Sequence, residues 1–362
     1  MRMSEARVAL ITGITGQDCM ILAHLLLAKG YSVHGLLRRS TSPDSQLDRL
    51  RSAGLSKVKL HFGDMTDPSS LMRVMSEVRP QEVYNLAAQS HVQFSFEMPV
   101  YTSQVNAMGT LHLLEAIRVL GLGRDCRFYQ ASTSELFGGN HEAHPLDERA
   151  RFAPHSPYAI AKQFAFQMTV HYREAYGLHA SNGILFNHEG KLRGENFVTR
   201  KITKAAAQWA LGARAPLALG NLNAQRDWGD ARDYVRGMWL MLQQPEPDDY
   251  VLATGISRSV REFAETAFAI AGVRLVWTGE GPAEMGLDNG TGAVVVKVDP
   301  KFFRPADAST LRGNADKAKR VLGWRPEISF ERMVQEMVEF DITRSRQRLT
   351  RPIPAAAQHL FS

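Results

Sequence analysis

Cysteine is scarce in this sequence of 362 residues. Cys19 and Cys126 are the only two, too few and too far apart along the chain for a disulfide framework or a zinc site. The sequence also has no apolar run long enough to span a bilayer, and its start lacks an apolar segment followed by a small-residue cleavage site. We therefore expect a soluble, cytoplasmic protein without a bound metal and without contact with a membrane.

A large excess of one charge is missing as well. Lysine and arginine together number 43 and the acidic residues 37, which gives a formal net charge of +6. So small a surplus, spread along the chain, does not indicate nucleic-acid binding, although it suits an anionic small ligand. A chain of this length can bury a large core and form two lobes or one long α/β domain.

Strand-like and helix-like segments alternate in the first half of the chain. The strand-length run RVALIT (7–12) precedes a helical segment (20–30), and the cycle recurs as far as the strand RFYQAS (127–132). Strands separated by helices predict a Rossmann-like, doubly wound parallel sheet. This rhythm loosens after residue 187, and we expect the Gly-rich stretch 279–292 to be an exposed loop.

The first turn between a predicted strand and helix reads GITGQDC. Gly13 and Gly16 allow a tight turn and let the backbone approach a pyrophosphate at the N-terminus of the helix. Cys19 occupies the third small position, where we expect the turn to survive with a slight outward shift. Taken alone, the motif leaves an ordinary glycine-containing turn open, and its place in the strand–helix cycle favours a dinucleotide site.

The second predicted strand ends in LLRRS rather than in an acidic residue. Arg38 and Arg39 suit the 2′-phosphate of NADP, whereas a carboxylate at this point would favour NAD. Asp64, at the end of the third strand, fits a hydrogen bond to the adenine. A solvated basic turn and an ordinary turn aspartate remain the alternatives at these positions.

The segment SPYAIAK places a tyrosine and a lysine four residues apart. On a helix, Tyr158 and Lys162 leave the same face one turn apart. The lysine ammonium would lower the pKa of the phenol, so that the tyrosinate can accept a proton from a substrate hydroxyl. A packed tyrosine beside a solvated lysine is the alternative, and the preceding dinucleotide turn and strands make it less favourable.

Long blocks of this sequence resemble one enzyme family. They include ALITGITGQD, YNLAAQSHV, RFYQASTSELFG, SPYAIAK, LGNLNAQRDWG and KAKRVLGWRPEISF, and they run over nearly the whole chain. On these blocks the sequence is similar to the GDP-mannose 4,6-dehydratase family of the extended short-chain dehydrogenase/reductase superfamily. The resemblance implies a nucleotide-sugar lyase that uses NADP in an internal redox cycle.

The stretch ASTSELFG places Glu135 two residues after Thr133. Oxidation of a hexose at C4 makes the proton on C5 acidic, and a carboxylate aimed at C5 can remove it and then protonate the departing C6 hydroxyl. A simple reductase or 4-epimerase has no use for such a group. Glu135 thus distinguishes dehydration from plain redox chemistry, with a surface or capping glutamate as the alternative. The resemblance assigns Thr133 to the C4 oxygen.

The remaining site residues rest mainly on the resemblance. Four of them are candidates for the GDP-sugar because a diphosphate needs cations or amide donors: Asn187, Lys201, Arg226 and Arg304. Cofactor contacts are implied at Gly13, Ile14, Thr15, Gly16, Gln17, Asp18, Arg38, Asp64, Leu86, Ala87, Ala88, Gln89, Ser90, Tyr101, Lys162, His188 and Arg193.

The resemblance also implies a division of the chain. We expect an NADP-binding domain over 1–187 plus about 225–254, and a smaller C-terminal substrate-binding lobe over 188–224 plus about 255–341. Residues 342–362 are predicted to form a loosely ordered tail. A homo-oligomer, dimer or tetramer, is the implied assembly.

Several segments depart from the family pattern. Cys19, Met20 and Ile21 replace Gly-Ser-Tyr, and the segments NHEGKLRGENF and RPADASTLRGN differ where nucleotide or sugar contacts are expected. These last two changes leave a GDP-heptose open as the substrate in place of GDP-mannose. A GDP-sugar oxidoreductase or epimerase without net dehydration, and a non-catalytic NADP-sensing protein, are the other functions left open.

Overall fold

The computed structural model describes residues 6–39, 43–138, 145–302 and 311–350. The chain divides into two units. The first unit comprises Met1–Leu192, Gln225–Ser257 and Ser309–Ser329. The second unit comprises Arg193–Ala224, Arg258–Ala308 and Phe330–Ser362.

The described elements follow the chain in a fixed order. The strands are β1 Val8–Thr12, β2 Ser32–Leu37, β3 Lys59–Phe62, β4 Glu82–Asn85, β5 Arg127–Ala131, β6 His179–Leu185, β7 Asn187–Glu189, β8 Leu217–Leu219, β9 Gln225–Asp230, β10 Tyr250–Leu252, β11 Ser257–Ser259, β12 Leu275–Thr278, β13 Met285–Asp288 and β14 Val294–Val298. The α-helices are α1 Gln17–Ala28, α2 Pro43–Ser52, α3 Pro68–Val78, α4 Val92–Glu97, α5 Pro99–Ser103, α6 Gly109–Val119, α7 Pro157–Tyr176, α8 Val198–Ala210, α9 Ala231–Met241, α10 Val260–Ile270, α11 Asp316–Leu322 and α12 Phe330–Thr350. A π-helical segment covers Gln104–Met108, and 3₁₀ turns cover Ser134–Phe137, Gly281–Ala283 and Pro300–Phe302.

A parallel sheet of seven strands forms the centre of the first unit. Its strand order is β10-β6-β5-β4-β1-β2-β3, and each neighbouring pair is parallel. The chain moves outward from β1 through β2 and β3, then returns to the other side of β1 with β4. Ligands of such sheets bind at the carboxyl ends of the strands where the order reverses, which here is between β1 and β4. The predicted Rossmann-like fold is confirmed.

Apolar layers cover both faces of this sheet. Along β1, Leu10 packs into one buried cluster and Ile11 into the other, as the two-residue period of a strand requires. The cluster on the face of Ile11 includes side chains of α1 and α9, and the opposite cluster includes side chains of α3 and α6. A strand buried on both faces reads as a continuous apolar run, and the segment VALIT has this character.

The second unit combines a small sheet with three helices. Its strand order is β12-β13-β14-β8, with β14 and β8 parallel and the other neighbouring pairs antiparallel. Helices α8, α10 and α12 pack against one another. Arg200 of α8 forms a buried ion pair with Asp341 of α12, which ties these two helices together.

Two sequence predictions in this part of the chain were wrong. The stretch 279–292 is not simply an exposed loop, because Met285–Asp288 forms β13 between β12 and β14. Pairing with two strands outweighs the low strand preference of its glycine-rich composition. The predicted tail begins too early, because α12 continues through Thr350, and NH1 of Arg344 lies 3.8 Å from Oε1 of Glu195. Residues 351–362 lie outside the described residues.

Candidate active site

The turn after β1 has the geometry of a dinucleotide-binding turn. Gly13 has a φ of 72°, and its N–H donates to the carbonyl oxygen of Leu36 over 3.0 Å. A Cβ atom at Gly13 would lie 2.9 Å from the Cα atom of Ala87, so the position requires glycine. Gly16 is the N-cap of α1 and has no side chain to cap it, and the N-terminus of a helix attracts an anion.

Cysteine in the third small position does not prevent this turn. The Sγ atom of Cys19 lies 3.5 Å from the carbonyl oxygen of Thr12 and donates to it, and α1 already begins at Gln17. Burial raises the pKa of the Cys19 thiol, since the thiolate would lose its hydration. The thiol therefore stays protonated and acts as a small packing residue.

Two predicted cofactor residues contact each other beyond the end of β2. The guanidinium NH1 of Arg38 donates to the phenol oxygen of Tyr101 over 2.8 Å, although the two residues are far apart in sequence. Arg38 is exposed, so its other N–H groups can reach a ligand. The Oδ1 atom of Asp64 accepts from the backbone N–H and the hydroxyl of Thr66, each over 2.9 Å. Asp64 thus has a local turn role as well.

The loop after β4 is held by side chains that the sequence reasoning missed. The N–H groups of Leu86 and Ala87 both donate to the Oγ1 atom of Thr12 over 3.0 Å. The N–H of Gln89 donates to Oδ1 of Asn106 over 2.9 Å. A polar residue at the end of an otherwise apolar strand was the available signal for Thr12, and no comparable signal marked Asn106.

Two buried acceptor atoms point to a ligand near these segments. Oε1 of Gln17 and Oε1 of Gln89 are buried and have no hydrogen-bond partner within the part of the chain that the structure describes. Both glutamines belong to segments predicted to contact the cofactor. Buried polar atoms are normally satisfied, so a ligand or water with N–H or O–H donors fits here.

His188 contacts the dinucleotide turn through Asp18. Its Nε2 lies 2.8 Å from Oδ2 of Asp18, its Nδ1 lies 2.7 Å from the carbonyl oxygen of Phe186, and its ring stacks on Tyr234. Gln17 adds a hydrogen bond from Nε2 to the carbonyl oxygen of His188 over 3.3 Å. The structure thus joins His188 to two predicted cofactor residues, Gln17 and Asp18, that lie about 170 positions earlier in the sequence.

One predicted catalytic residue, Lys162, contacts the carboxyl end of β5. Helix α7 begins with Ser156 as its N-cap and Pro157 in its first turn, and it packs against β5 and the 3₁₀ turn Ser134–Phe137. Lys162 is buried, and its Nζ donates to the carbonyl oxygen of Ala131 over 2.9 Å. This contact places the ammonium beside the strand end that leads to Thr133.

Thr133 and Glu135 share one local hydrogen bond. Thr133 is the N-cap of the 3₁₀ turn, and its Oγ1 accepts from the N–H of Glu135 over 3.2 Å. The hydroxyl proton of Thr133 is therefore directed away from that N–H. Glu135 is half-buried, and Tyr158 is buried on α7 one turn before Lys162.

Burial of Lys162 makes its charge sensitive to pH near neutrality. The pKa of this ammonium is lowered to about 8 because burial disfavours the charged form. The group remains mostly protonated at pH 7. A lysine with such a pKa can support a neighbouring phenolate at neutral pH and loses that capacity in alkaline solution.

The predicted substrate residues are distributed over both units. Asn187 starts β7 and Arg226 lies in β9, both in the first unit. In the second unit, Nζ of Lys201 lies 5.0 Å from the ring centre of Phe302. The predicted cofactor residue Arg193 also belongs to this unit, and its guanidinium lies 3.6 Å from the ring centre of Phe197. Arg304 lies outside the described residues.

Neither a metal cluster nor a membrane-spanning helix occurs in the described part of the chain. Among those residues, no group of three or more His, Cys, Asp and Glu side chains is placed to hold a metal ion. Within the same ranges, no helix is both long enough and apolar enough to cross a bilayer.

Sequence comparison gives close relatives over nearly the full length. Residues 10–337 match the family model described as GDP-mannose 4,6 dehydratase. The chain is 56% identical to the GDP-mannose 4,6-dehydratase of Sinorhizobium fredii (strain HH103) over 345 residues, covering 94% of this chain and 98% of the relative. It is 50% identical to the GDP-mannose 4,6 dehydratase of Drosophila melanogaster over 349 residues, covering 95% and 88% respectively.

Structure comparison finds the same fold in enzymes of different activity. The UDP-glucose 4-epimerase of Thermus thermophilus, solved with NAD, has a TM-score of 0.77 and 25% identity, with 92% of this chain and 98% of that chain covered. The dTDP-glucose 4,6-dehydratase of Bacillus anthracis str. Ames has a TM-score of 0.76 and 20% identity, with 94% and 98% covered. The fold alone therefore does not separate an epimerase from a dehydratase.

Proposed function

The chain belongs to the GDP-mannose 4,6-dehydratase family, and we propose that it converts GDP-mannose to GDP-4-keto-6-deoxymannose. The relatives that share half or more of its sequence carry this activity in their names. The observation that supports the proposal is the hydrogen bond from Lys162 to the last residue of β5, four residues before Glu135 along the chain.

NADP is the proposed cofactor, and the first unit fits it. The glycine turn, the orphaned acceptors of Gln17 and Gln89, and the exposed guanidinium of Arg38 suit a phosphorylated dinucleotide. The related epimerase with 25% identity was solved with NAD, which supports a nicotinamide dinucleotide. When bound, the nicotinamide accepts a hydride from the sugar and returns it later.

Each catalytic side chain has a separate task in this proposal. Tyr158 removes the proton of the C4 hydroxyl, and the ammonium of Lys162 favours its phenolate form. Thr133 donates a hydrogen bond from its hydroxyl to the C4 oxygen and keeps that oxygen in line with Tyr158. Glu135 removes the C5 proton, which the C4 ketone has made acidic, and passes it to the departing C6 hydroxyl.

Cations and amides are proposed to hold the GDP portion. Asn187, Lys201, Arg226 and Arg304 remain the candidates for the diphosphate and sugar.

We also propose a homo-oligomer, dimer or tetramer, because Ile160 and Phe164 leave an exposed apolar stripe on α7. Light scattering on the purified protein tests the assembly, and cell fractionation tests the proposed cytoplasmic location.

Product mass tests the proposed reaction. The purified protein, supplied with NADP⁺, is incubated separately with GDP-mannose and with a GDP-heptose. We expect the GDP-mannose product to be lighter by one water, with no net NADPH formed. A product lighter by two hydrogens, with stoichiometric NADPH, would instead identify a net oxidoreductase. Dehydration of the heptose alone would transfer the proposal to that substrate.

A further inference from the structure

Three buried polar residues lie side by side across the central sheet. Thr12, Asn85 and Gln130 are 0%, 1% and 1% exposed, and they sit at the carboxyl ends of β1, β4 and β5. They are direct partners in the strand register, Thr12 with Asn85 and Asn85 with Gln130. Buried hydroxyl and amide groups are costly unless they are hydrogen-bonded, so each of these side chains needs partners.

The direction of the hydrogen bonds is fixed from one end. The N–H groups of Leu86 and Ala87 both donate to Oγ1 of Thr12, so the single proton of that hydroxyl must go elsewhere. It is donated to Oδ1 of Asn85 over 2.8 Å. The amide of Asn85 is thereby oriented with Nδ2 toward β5, where it donates to Oε1 of Gln130 over 2.8 Å.

The same direction continues to the catalytic lysine. Because Oε1 of Gln130 accepts from Asn85, its Nε2 faces the other way and donates to the carbonyl oxygen of Ala131 over 3.0 Å. That oxygen also accepts from Nζ of Lys162 over 2.9 Å. Both lone pairs of the Ala131 carbonyl are therefore used, which fixes the position of the ammonium.

Two further residues close the arrangement on the side of α6. Thr110 is 1% exposed; its Oγ1 accepts from Nδ2 of Asn85 over 3.1 Å and lies 2.9 Å from the carbonyl oxygen of Asn106. The side chain of Asn106 contacts the backbone of Gln89 twice, as acceptor from its N–H and as donor to its carbonyl oxygen. Asn106 lies in the π-helical segment, and such segments often occur at functional sites.

We infer that Thr12, Asn85 and Gln130 form, with Thr110 and Asn106, a directional hydrogen-bond network that positions the loop Leu86–Gln89 and the Lys162 ammonium together. These five residues form the carboxyl-end network. Its members are positioning residues, since they act through the loop backbone and through Ala131. Loss of a hydrogen bond at one end of the network therefore weakens the hydrogen bonds at the other end. The roles of the loop in cofactor binding and of Lys162 in catalysis rest on the proposed function. The coupling between the loop and the ammonium does not.

The experiment compares two network variants with a matched control. Thr12→Val and Gln130→Met keep the approximate shape of the side chain and remove its hydrogen bonds. Thr169→Val makes the same chemical change at another fully buried threonine, whose hydroxyl donates to the carbonyl oxygen of Ala165 within α7. Thr12→Ser restores the hydroxyl. Hydrogen–deuterium exchange of a peptide covering residues 86–90 is measured for each protein, together with the Kd for NADP⁺ and kcat.

Transmission predicts a remote effect. Gln130→Met should increase exchange at Leu86 and Ala87 by about 3- to 10-fold, although the hydrogen bonds of Gln130 reach neither residue. Thr12→Val should reduce kcat by about tenfold through Lys162 and also raise the Kd for NADP⁺, and Thr12→Ser should recover most of both losses. Because the two changes break one network, the double variant should lose clearly less kcat than the product of the single losses.

The exchange result decides the inference. The inference would be overturned if residues 86–90 exchanged at the wild-type rate in Gln130→Met, or if Thr169→Val showed an equal increase. This measurement is sufficient even if Thr12→Val does not fold. Independent, multiplicative losses of kcat in the double variant would also contradict it. If wild-type protein fails to dehydrate GDP-mannose while the exchange effects appear, the proposed function fails and the inference stands.

Discussion

Strand β4 carries a buried polar side chain at each end, and the two ends differ in kind. At its start, Glu82 is 1% exposed and accepts hydrogen bonds from the hydroxyls of Tyr84 and Tyr31 and from Arg7, over 2.7, 3.1 and 3.0 Å. These four residues form the amino-end cluster. At the other end of β4, Asn85 belongs to the carboxyl-end network of neutral side chains.

The two groups make different connections. The carboxylate of the amino-end cluster is satisfied by side chains within the cluster and its neighbours, so its bonds serve the packing of β1, β2 and β4. The carboxyl-end network instead ends on the backbone of a loop and on the carbonyl that holds Lys162. We therefore expect substitutions in the amino-end cluster to lower the free energy of unfolding. Substitutions beyond the carboxyl ends of the strands should instead lower kcat.

The largest effect should come from the carboxylate beyond β5. Glu135→Gln keeps the shape of the side chain but removes the proposed base for the C5 proton, so kcat should fall by about 10²- to 10⁴-fold. The melting temperature should stay near that of wild type. Glu174→Gln, at an exposed position on α7, is the control and should turn over normally. Normal turnover by Glu135→Gln would remove Glu135 from the mechanism.

The amino-end cluster should give the opposite pattern. Glu82→Gln replaces a buried acceptor oxygen by a donor facing Tyr84, Tyr31 or Arg7, so the free energy of unfolding should fall by about 1–3 kcal/mol. Urea unfolding measures this loss, and kcat at 25 °C should remain that of wild type for the folded fraction. If Glu82→Gln lowered kcat without lowering the free energy of unfolding, the proposed difference between the two ends of β4 would be contradicted.

Cofactor choice provides a smaller effect at the carboxyl end of β2. Arg38→Ala removes the guanidinium proposed for the 2′-phosphate, so the Kd for NADP⁺ should rise by about 10- to 100-fold, with little change for NAD⁺. Tyr101→Phe removes the phenol that orients Arg38 and should have a weaker effect in the same direction. Titration with both dinucleotides provides its own control, since an equal loss for both would exclude 2′-phosphate recognition.

The mildest test is the alkaline pH dependence. With a pKa of about 8 for Lys162, kcat should decline as the pH rises above that value, because the ammonium is lost. Unfolding should not explain the decline. The ordinary pKa is 10.5, so between pH 8 and 10.5 the unfolded chain binds more protons, and this group makes the folded state more stable as the pH rises. Circular dichroism at each pH separates the two effects.

Local patterns predicted the parts of this molecule that depend on local chemistry. The glycine turn, the parallel sheet and the helix bearing Tyr158 and Lys162 follow from residue spacing and from strand and helix periodicity. The family blocks added the reaction class. By contrast, β13 depends on pairing with β12 and β14, which composition did not reveal.

The site shows the same limit. His188 and Asp18 were predicted as separate cofactor residues, and only the fold shows that they contact each other. Asn85 and Gln130 read as polar interruptions of apolar strands, and their role depends on strand register, which single segments do not fix. The roles predicted for the site residues, such as Arg193 and Lys201, remain predictions.

The fate of the hydrogen on C4 tests the central claim most directly. GDP-mannose carrying deuterium at C4 is incubated with the protein and NADP⁺, and the product is examined by NMR. If Tyr158, Lys162 and Glu135 serve one internal redox cycle, the deuterium should appear at C6 of a 4-keto-6-deoxy sugar. Deuterium that is retained at C4, or that accumulates in free NADPH, would contradict the account.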